Sequence, residues 1–132
     1  MMNAALNPVL DRVPPGATAA LLLAAGRSQR MQGACVDKIC HPLQGGLRVF
    51  DYVLRAFEQS GVCTCLAVVY GDKAQKDRLE QGLPAGLIQR PILWVPGGDR
   101  RQDSVALGLE ALAPLKPGKI LIHDAARPLV RP

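Results

Sequence analysis

Aromatic side chains are scarce in this chain: one tryptophan, two tyrosines and two phenylalanines stand among 132 residues. Aliphatic side chains must therefore fill the interior, and a nucleic-acid surface built from a basic stripe with stacking aromatics is not expected. A basic run is missing too. The formal net charge of +5 is carried largely by arginines scattered through turns, which suits a small phosphorylated ligand better than a polyanion. No apolar stretch reaches the roughly 20 residues needed to cross a bilayer. The run from Ala17 to Ala25, with Arg12 before it, has the look of a secretory core, but Asp11 and the prolines at 14 and 15 break that pattern. The same run makes sense as a first strand, so the expectation is a soluble, cytoplasmic protein with no membrane partner and no nucleic acid.

Zinc-knuckle spacing is also absent. The four cysteines, Cys35, Cys40, Cys63 and Cys65, contain no pair separated by two residues, so buried free thiols in a reducing compartment are the simpler reading. Cys63 and Cys65 are expected on one face of a strand.

What is present is an ordinary globular balance, 48% hydrophobic and 20% charged. A chain of this length holds one core and buries roughly two-thirds of its unfolded surface. Residues 1–16 carry three prolines and no periodicity, which reads as a flexible leader before a domain over 17–132. Thr18 to Leu23 is an unalternating apolar strand of the kind buried on both faces. Phe50, Val53, Leu54 and Phe57 then recur at helical spacing from Arg48, and Ser60-Gly61 supplies a stop. A second strand over Thr64 to Tyr70 and a short polar helix over Lys73 to Gln81, with Leu79 facing inward, come next. Ile92 to Val95 forms a third strand that ends at Pro96-Gly97-Gly98-Asp99. Val105, Leu109 and Leu112 mark a helix beginning near Asp103 or Ser104, both common N-cap types. Lys119 to His123 is the fourth strand and stops at Asp124. Strictly alternating strands and helices predict an α/β fold: a Rossmann-like, mostly parallel sheet with helices on both faces.

Ligands of such sheets bind beyond the carboxyl ends of the strands. Those ends carry Ala24-Ala25-Gly26, Gly97-Gly98-Asp99 and Asp124-Ala125-Ala126-Arg127, so three informative loops converge on one edge. The first is neither a Walker loop nor Gly-x-Gly-x-x-Gly, which speaks against ATPase and hydride chemistry. It offers small residues where backbone approaches a nucleotide, then the cations Arg27, Arg30 and Lys38 close to its phosphates. Asp124, at the end of a buried strand, is a natural Mg²⁺ ligand, because that ion takes one or two carboxylates and completes its shell with water and phosphate. Its alternative role is a helix cap. His123 would point to the opposite face and is read as structural, while Asp99 and Asp103 are candidates for turns or caps before catalysis.

Three motifs in order, Leu-Ala-Ala-Gly-x-x-x-Arg-Met, Gly-Gly-Asp-Arg-Arg-Gln-Asp-Ser-Val and His-Asp-Ala-Ala-Arg-Pro, resemble the 2-C-methyl-D-erythritol 4-phosphate cytidylyltransferases of the non-mevalonate isoprenoid pathway. The resemblance covers about residues 18 to 132. It implies a fold of the nucleotide-diphospho-sugar transferase type and a reaction in which the phosphate of 2-C-methyl-D-erythritol 4-phosphate attacks the α-phosphorus of CTP, with pyrophosphate leaving. It also implies roles for single residues. Ala24, Ala25 and Gly26 would line the CTP site; backbone groups near Ala24 and Gly98, with Ser104, would read the cytosine edge, and Asp99 joins that nucleotide set. Ala125 would meet the ribose and Asp124 would hold Mg²⁺. Arg30 and Lys38 would stabilise the transition state, and Arg127 would grip the phosphate of the second substrate. Ribitol 5-phosphate as the second substrate, or a non-catalytic CTP-binding remnant, are the competing readings.

Two departures accompany the resemblance. The family pattern has proline-lysine six residues after the methionine, whereas here Asp37-Lys38 places the lysine seven residues after Met31. The family's chains also continue well past His-Asp-Ala-Ala-Arg-Pro, with further substrate-binding residues and the arm that builds a homodimer. The expectation is thus a C-terminally truncated, incomplete domain without the dimer arm.

Overall fold

A computed structural model describes residues 13–25, 39 and 46–125. Among them four strands form one sheet: β1 (Thr18–Leu23), β2 (Cys65–Tyr70), β3 (Ile92–Pro96) and β4 (Lys119–Asp124). Three helices connect them, α1 (Val49–Ser60), α2 (Lys73–Gln81) and α3 (Arg101–Leu112), the last continued by a short 3₁₀ turn over Ala113–Leu115. The strand order is β3-β2-β1-β4, with every pairing parallel. Helices lie on both faces, as the alternating pattern predicts.

β1 and β2 read as continuous apolar runs because neighbours cover both faces. Leu21, Leu22, Leu66 and Val68 are fully buried. Odd-numbered β1 residues pack toward α3 with Cys65, Ala67, Val69, Leu93, Val95 and Leu112. Even-numbered ones pack toward α1 and α2 with Phe50, Val53, Leu54, Phe57 and Leu79.

α1 follows its expected stripe closely. Its first turn is closed by Asp51, a buried carboxylate that accepts from the Arg48 backbone N–H at 3.0 Å and pairs with the Arg48 guanidinium at 2.8 Å. The same guanidinium donates to the carbonyls of Arg78 and Leu79 at 2.8 and 3.0 Å, so it ties the start of α1 to the last turn of α2. Positive charge at a helix carboxyl end is favourable in itself. Gly61 ends α1 in the left-handed region at φ 69°. α2 spans Lys73–Gln81 as expected, its N-cap Asp72 accepting from Gln75 N–H at 2.8 Å.

Three sequence expectations give way. α3 begins at Arg101, not near Asp103 or Ser104, because Asp103 works from inside the first turn: its carboxylate accepts from the Arg100 backbone N–H at 3.2 Å. Its inward face is Ser104, Gly108 and Leu112, whereas Leu109 is 38% exposed. Leu112 and Val105 of the expected stripe do pack on the α3-side core, but the helix also approaches the sheet through small residues, which apolar spacing does not mark, so Leu109 is the one misplaced. Cys63 and Cys65 do not share a face: Cys63 precedes β2 and joins the α1 side, Cys65 the α3 side. Both thiols are free and buried, and burial pushes that of Cys65 up to about 11. Finally, Val13, within the expected leader, is buried in the α3-side core, and Gly16 N–H donates to Lys116 C=O at 2.8 Å. The packed domain therefore reaches back at least to Val13.

Candidate functional site

The strand registers bring the carboxyl ends together. Leu23 pairs with Val69 on one side and Asp124 on the other, and Tyr70 pairs with Pro96. From β1 the chain moves outward through β2 to β3, then α3 returns it to β4 on the far side of β1. The direction of winding changes there, at the carboxyl ends of β1 and β4, which is where open sheets of this kind bind ligands.

The first residues beyond three of the strands are tied back to a neighbouring strand. The N–H groups of Ala24 and Ala25 both donate to Val69 C=O, at 2.8 and 2.9 Å; Gly97 N–H donates to Tyr70 C=O at 2.8 Å and Ala125 N–H to Leu23 C=O at 3.0 Å. The loops after β1 and β3 and the first turn of α3 then meet around Gly97. A Cβ on Gly97 would lie 2.7 Å from Ser104 Oγ, 2.9 Å from Val69 Cγ1 and 3.1 Å from Ala25 Cβ. Only glycine fits that approach.

Ser104 is buried, and its Oγ accepts from Gly98 N–H at 3.1 Å. That bond fixes the Gly97-Gly98 backbone against α3. Asp99 is exposed beside it. Arg100 hydrogen-bonds Asp103 and thereby holds its carboxyl below the usual aspartate range.

Asp124 is half-buried at the end of β4, on the face shared by Ile120 and α3, while His123 turns the other way and meets Phe57 edge-on at 5.9 Å. The structural reading of His123 agrees with that placement. Ala125 is fully buried in the α1-side core. Thus Ala24, Ala25, Gly98, Asp99 and Ser104 form one neighbourhood, with Asp124 and Ala125 on the adjoining strand end. Gly26, Arg30, Lys38 and Arg127 lie outside the described residues.

Sequence reasoning missed Gln75. It lies at the third position of α2, 4% exposed, and its side chain reaches two loops at once. Oε1 accepts from Gly71 N–H at 2.6 Å, and Nε2 donates to Ala24 C=O at 3.2 Å. The only sequence signal was Asp72-x-x-Gln75, the outline of a capping box, which foretells a local bond and not the reach to Ala24.

Among the described residues no group of three or more His, Cys, Asp or Glu could hold a metal, and no helix is long and apolar enough to cross a membrane. A lone carboxylate such as Asp124 suits an ion whose remaining ligands are phosphate and water.

The family model described as IspD, 2-C-methyl-D-erythritol 4-phosphate cytidylyltransferase, matches residues 18–132. A 2-C-methyl-D-erythritol 4-phosphate cytidylyltransferase of Geobacillus kaustophilus is 39% identical over 85% of this chain and 47% of its own. The protein of the same name from Pelotomaculum thermopropionicum is 44% identical over 86% of this chain and 47% of its own. The chain thus spans about half the length of the curated relatives it matches. Among solved structures, the 4-diphosphocytidyl-2C-methyl-D-erythritol synthase of Anaerococcus prevotii superposes with a TM-score of 0.62 at 23% identity, covering 88% of this chain and 46% of that one. Rv0371c of Mycobacterium tuberculosis gives 0.60 at 23% identity, covering 89% and 56%. These two likenesses speak for the fold.

Proposed function

Because the chain belongs to the 2-C-methyl-D-erythritol 4-phosphate cytidylyltransferase family, we propose that its activity is the transfer of a cytidylyl group from CTP to 2-C-methyl-D-erythritol 4-phosphate. The products are 4-diphosphocytidyl-2-C-methyl-D-erythritol and pyrophosphate, in the non-mevalonate route to isoprenoids. The observation that carries the reading is the meeting of Ala25, Gly97 and Ser104 within one contact distance. That packing holds a small-residue loop beside a rigid backbone turn, the shape a base and ribose need.

In this reading a phosphate oxygen of the second substrate forms a bond to the α-phosphorus of CTP as the bond to the β-phosphate bridge breaks. No covalent enzyme intermediate is needed. A phosphate monoester is nucleophilic near neutral pH, so the main task is to align two anions and neutralise the charge that gathers between them. Ala24, Ala25 and Gly26 line the CTP site, the backbone near Ala24 and Gly98, with Ser104, reads the cytosine, and Asp99 belongs to the same nucleotide-binding set. Ala125 adjoins the ribose. Arg30 and Lys38 act on the charge at the α-phosphorus, and Arg127 binds the phosphate of the alditol. Asp124 would hold Mg²⁺, which supplies further neutralisation of the triphosphate when bound. The reading places the protein in the cytoplasm, in keeping with the free, buried thiols of Cys63 and Cys65.

Incubation with α-labelled CTP, Mg²⁺ and either alditol phosphate tests this. Label is expected in the diphosphocytidyl product of methylerythritol phosphate. Product from ribitol 5-phosphate alone, or CTP binding with product from neither, would overturn it. Arg30→Ala is expected to abolish pyrophosphate release while leaving CTP affinity within about tenfold, the pattern of a contact made mainly in the transition state.

A further inference from the structure

We infer that Gln75 is a positioning residue for the nucleotide site, fixing the Ala24 peptide from outside the loop that contains it. The inference rests on the cytidylyltransferase reading for its ligand and on the hydrogen bonds for its geometry.

The carboxamide has its orientation set by its partners. An N–H of Gly71 requires the oxygen on one side, at 2.6 Å, and the Ala24 carbonyl requires the NH₂ on the other, at 3.2 Å. Gln75 is itself anchored, since its backbone N–H donates to the Asp72 carboxylate at 2.8 Å. Ala24 is then held at both ends of its residue: its N–H donates to Val69 C=O at 2.8 Å and its C=O accepts from Gln75. A carbonyl oxygen has two lone pairs. Gln75 occupies one and, together with the bond from Ala25 N–H to Val69 C=O at 2.9 Å, fixes the plane of the peptide that joins Ala24 to Ala25 and the direction of the other. That matters for base choice, because cytosine carries an amino donor where uracil carries an acceptor oxygen, and a fixed backbone edge distinguishes the two. Burial of the amide makes the arrangement stiff, because a buried polar group that loses its partner is costly.

Two substitutions separate the halves of the bridge. Gln75→Glu keeps the acceptor for Gly71 and loses the donor to Ala24; Gln75→Met keeps the length and loses both. CTP and UTP titrations of the chain, with thermal melts alongside, are expected to show CTP binding weakened about fivefold or more in both variants, the equivalent of one lost hydrogen bond. The preference for CTP over UTP should narrow as well. A purely structural role would lower the melting temperatures and leave both affinity and preference unchanged, and that result overturns the inference. If neither variant folds, the unsubstituted chain decides: CTP saturation should shift the Gln75 side-chain amide resonance, and no shift overturns the inference. If the unsubstituted chain binds no CTP, the cytidylyltransferase reading fails and the inference falls with it. Binding that is unaffected by either variant defeats the inference alone.

Discussion

Under α1 and α2 the sheet is packed with large side chains, Phe50 against Trp94 at 6.3 Å and Phe57 against His123 at 5.9 Å, and it is braced by charge. Arg48 joins Asp51 to two carbonyls of α2, and Arg90 holds the Glu58 carboxylate together with the carbonyls of Glu58 and Cys63. Under α3 the core holds no aromatic rings among the described residues, and the helix meets the sheet through Leu112 and Gly108 and the loop after β3 through Ser104. The difference shows how one fold separates stability from recognition. On the thick face bulky side chains fill the space between helix and sheet, whereas on the thin face the first turn of α3 touches the loop after β3. The Ala24-Ala25 turn lies between the two, gripped by Gln75 from one face and by Gly97 and Ser104 from the other.

The largest effect is expected where the thick face is braced. Asp51→Ala should destabilise by about 3–5 kcal/mol, because it leaves Arg48 buried against α2 without its carboxylate. Chemical denaturation would show it, and a loss under about 1 kcal/mol would mean that the clamp is not what holds α1 to α2. On the thin face, Gly108→Ala sets two effects against each other. Alanine favours a helix by about 1 kcal/mol, yet its Cβ would overlap Leu21 Cδ1 and come within 3.1 Å of Val69 Cγ2. Leu21 is fully buried and has little room to retreat. A net loss of about 1–2 kcal/mol is expected, read as a lower melting temperature; a rise would show that the helix does not approach so closely. The smallest change is at Leu109, where replacement by Gln should alter stability by no more than about 0.5 kcal/mol, since the side chain faces solvent. A core-sized loss there would restore the apolar stripe read from spacing alone.

Much of the architecture was legible before any tertiary contact was known. β1, α1 and α2 fall where periodicity and stop signals place them, because their patterns answer to local rules: a run buried on both faces, an apolar stripe, a glycine past the last turn. α3 was harder. Two of its three buried residues are a serine and a glycine, neither of which scores as apolar, and Asp103 caps from within the helix instead of ahead of it. The cysteines misled for a related reason, since the alternation rule holds only inside a strand and Cys63 lies before one. The candidate site was legible as motifs, Ala24-Ala25, Gly97-Gly98 and Asp124, because backbone approach and phosphate charge restrict which residue types serve. Gln75 was not, because nothing local marks a glutamine whose partner lies 51 residues away.

The sequence alone determined the order and kind of the elements and the residue types brought to the strand ends, since propensity, periodicity and small-residue turns act over a few residues. Tertiary structure decided which face each element offers and how near α3 comes to the sheet. It also decided which side chain holds the Ala24 carbonyl. Those depend on close packing and on satisfying buried polar groups across the chain, and neither condition can be read from neighbours in sequence.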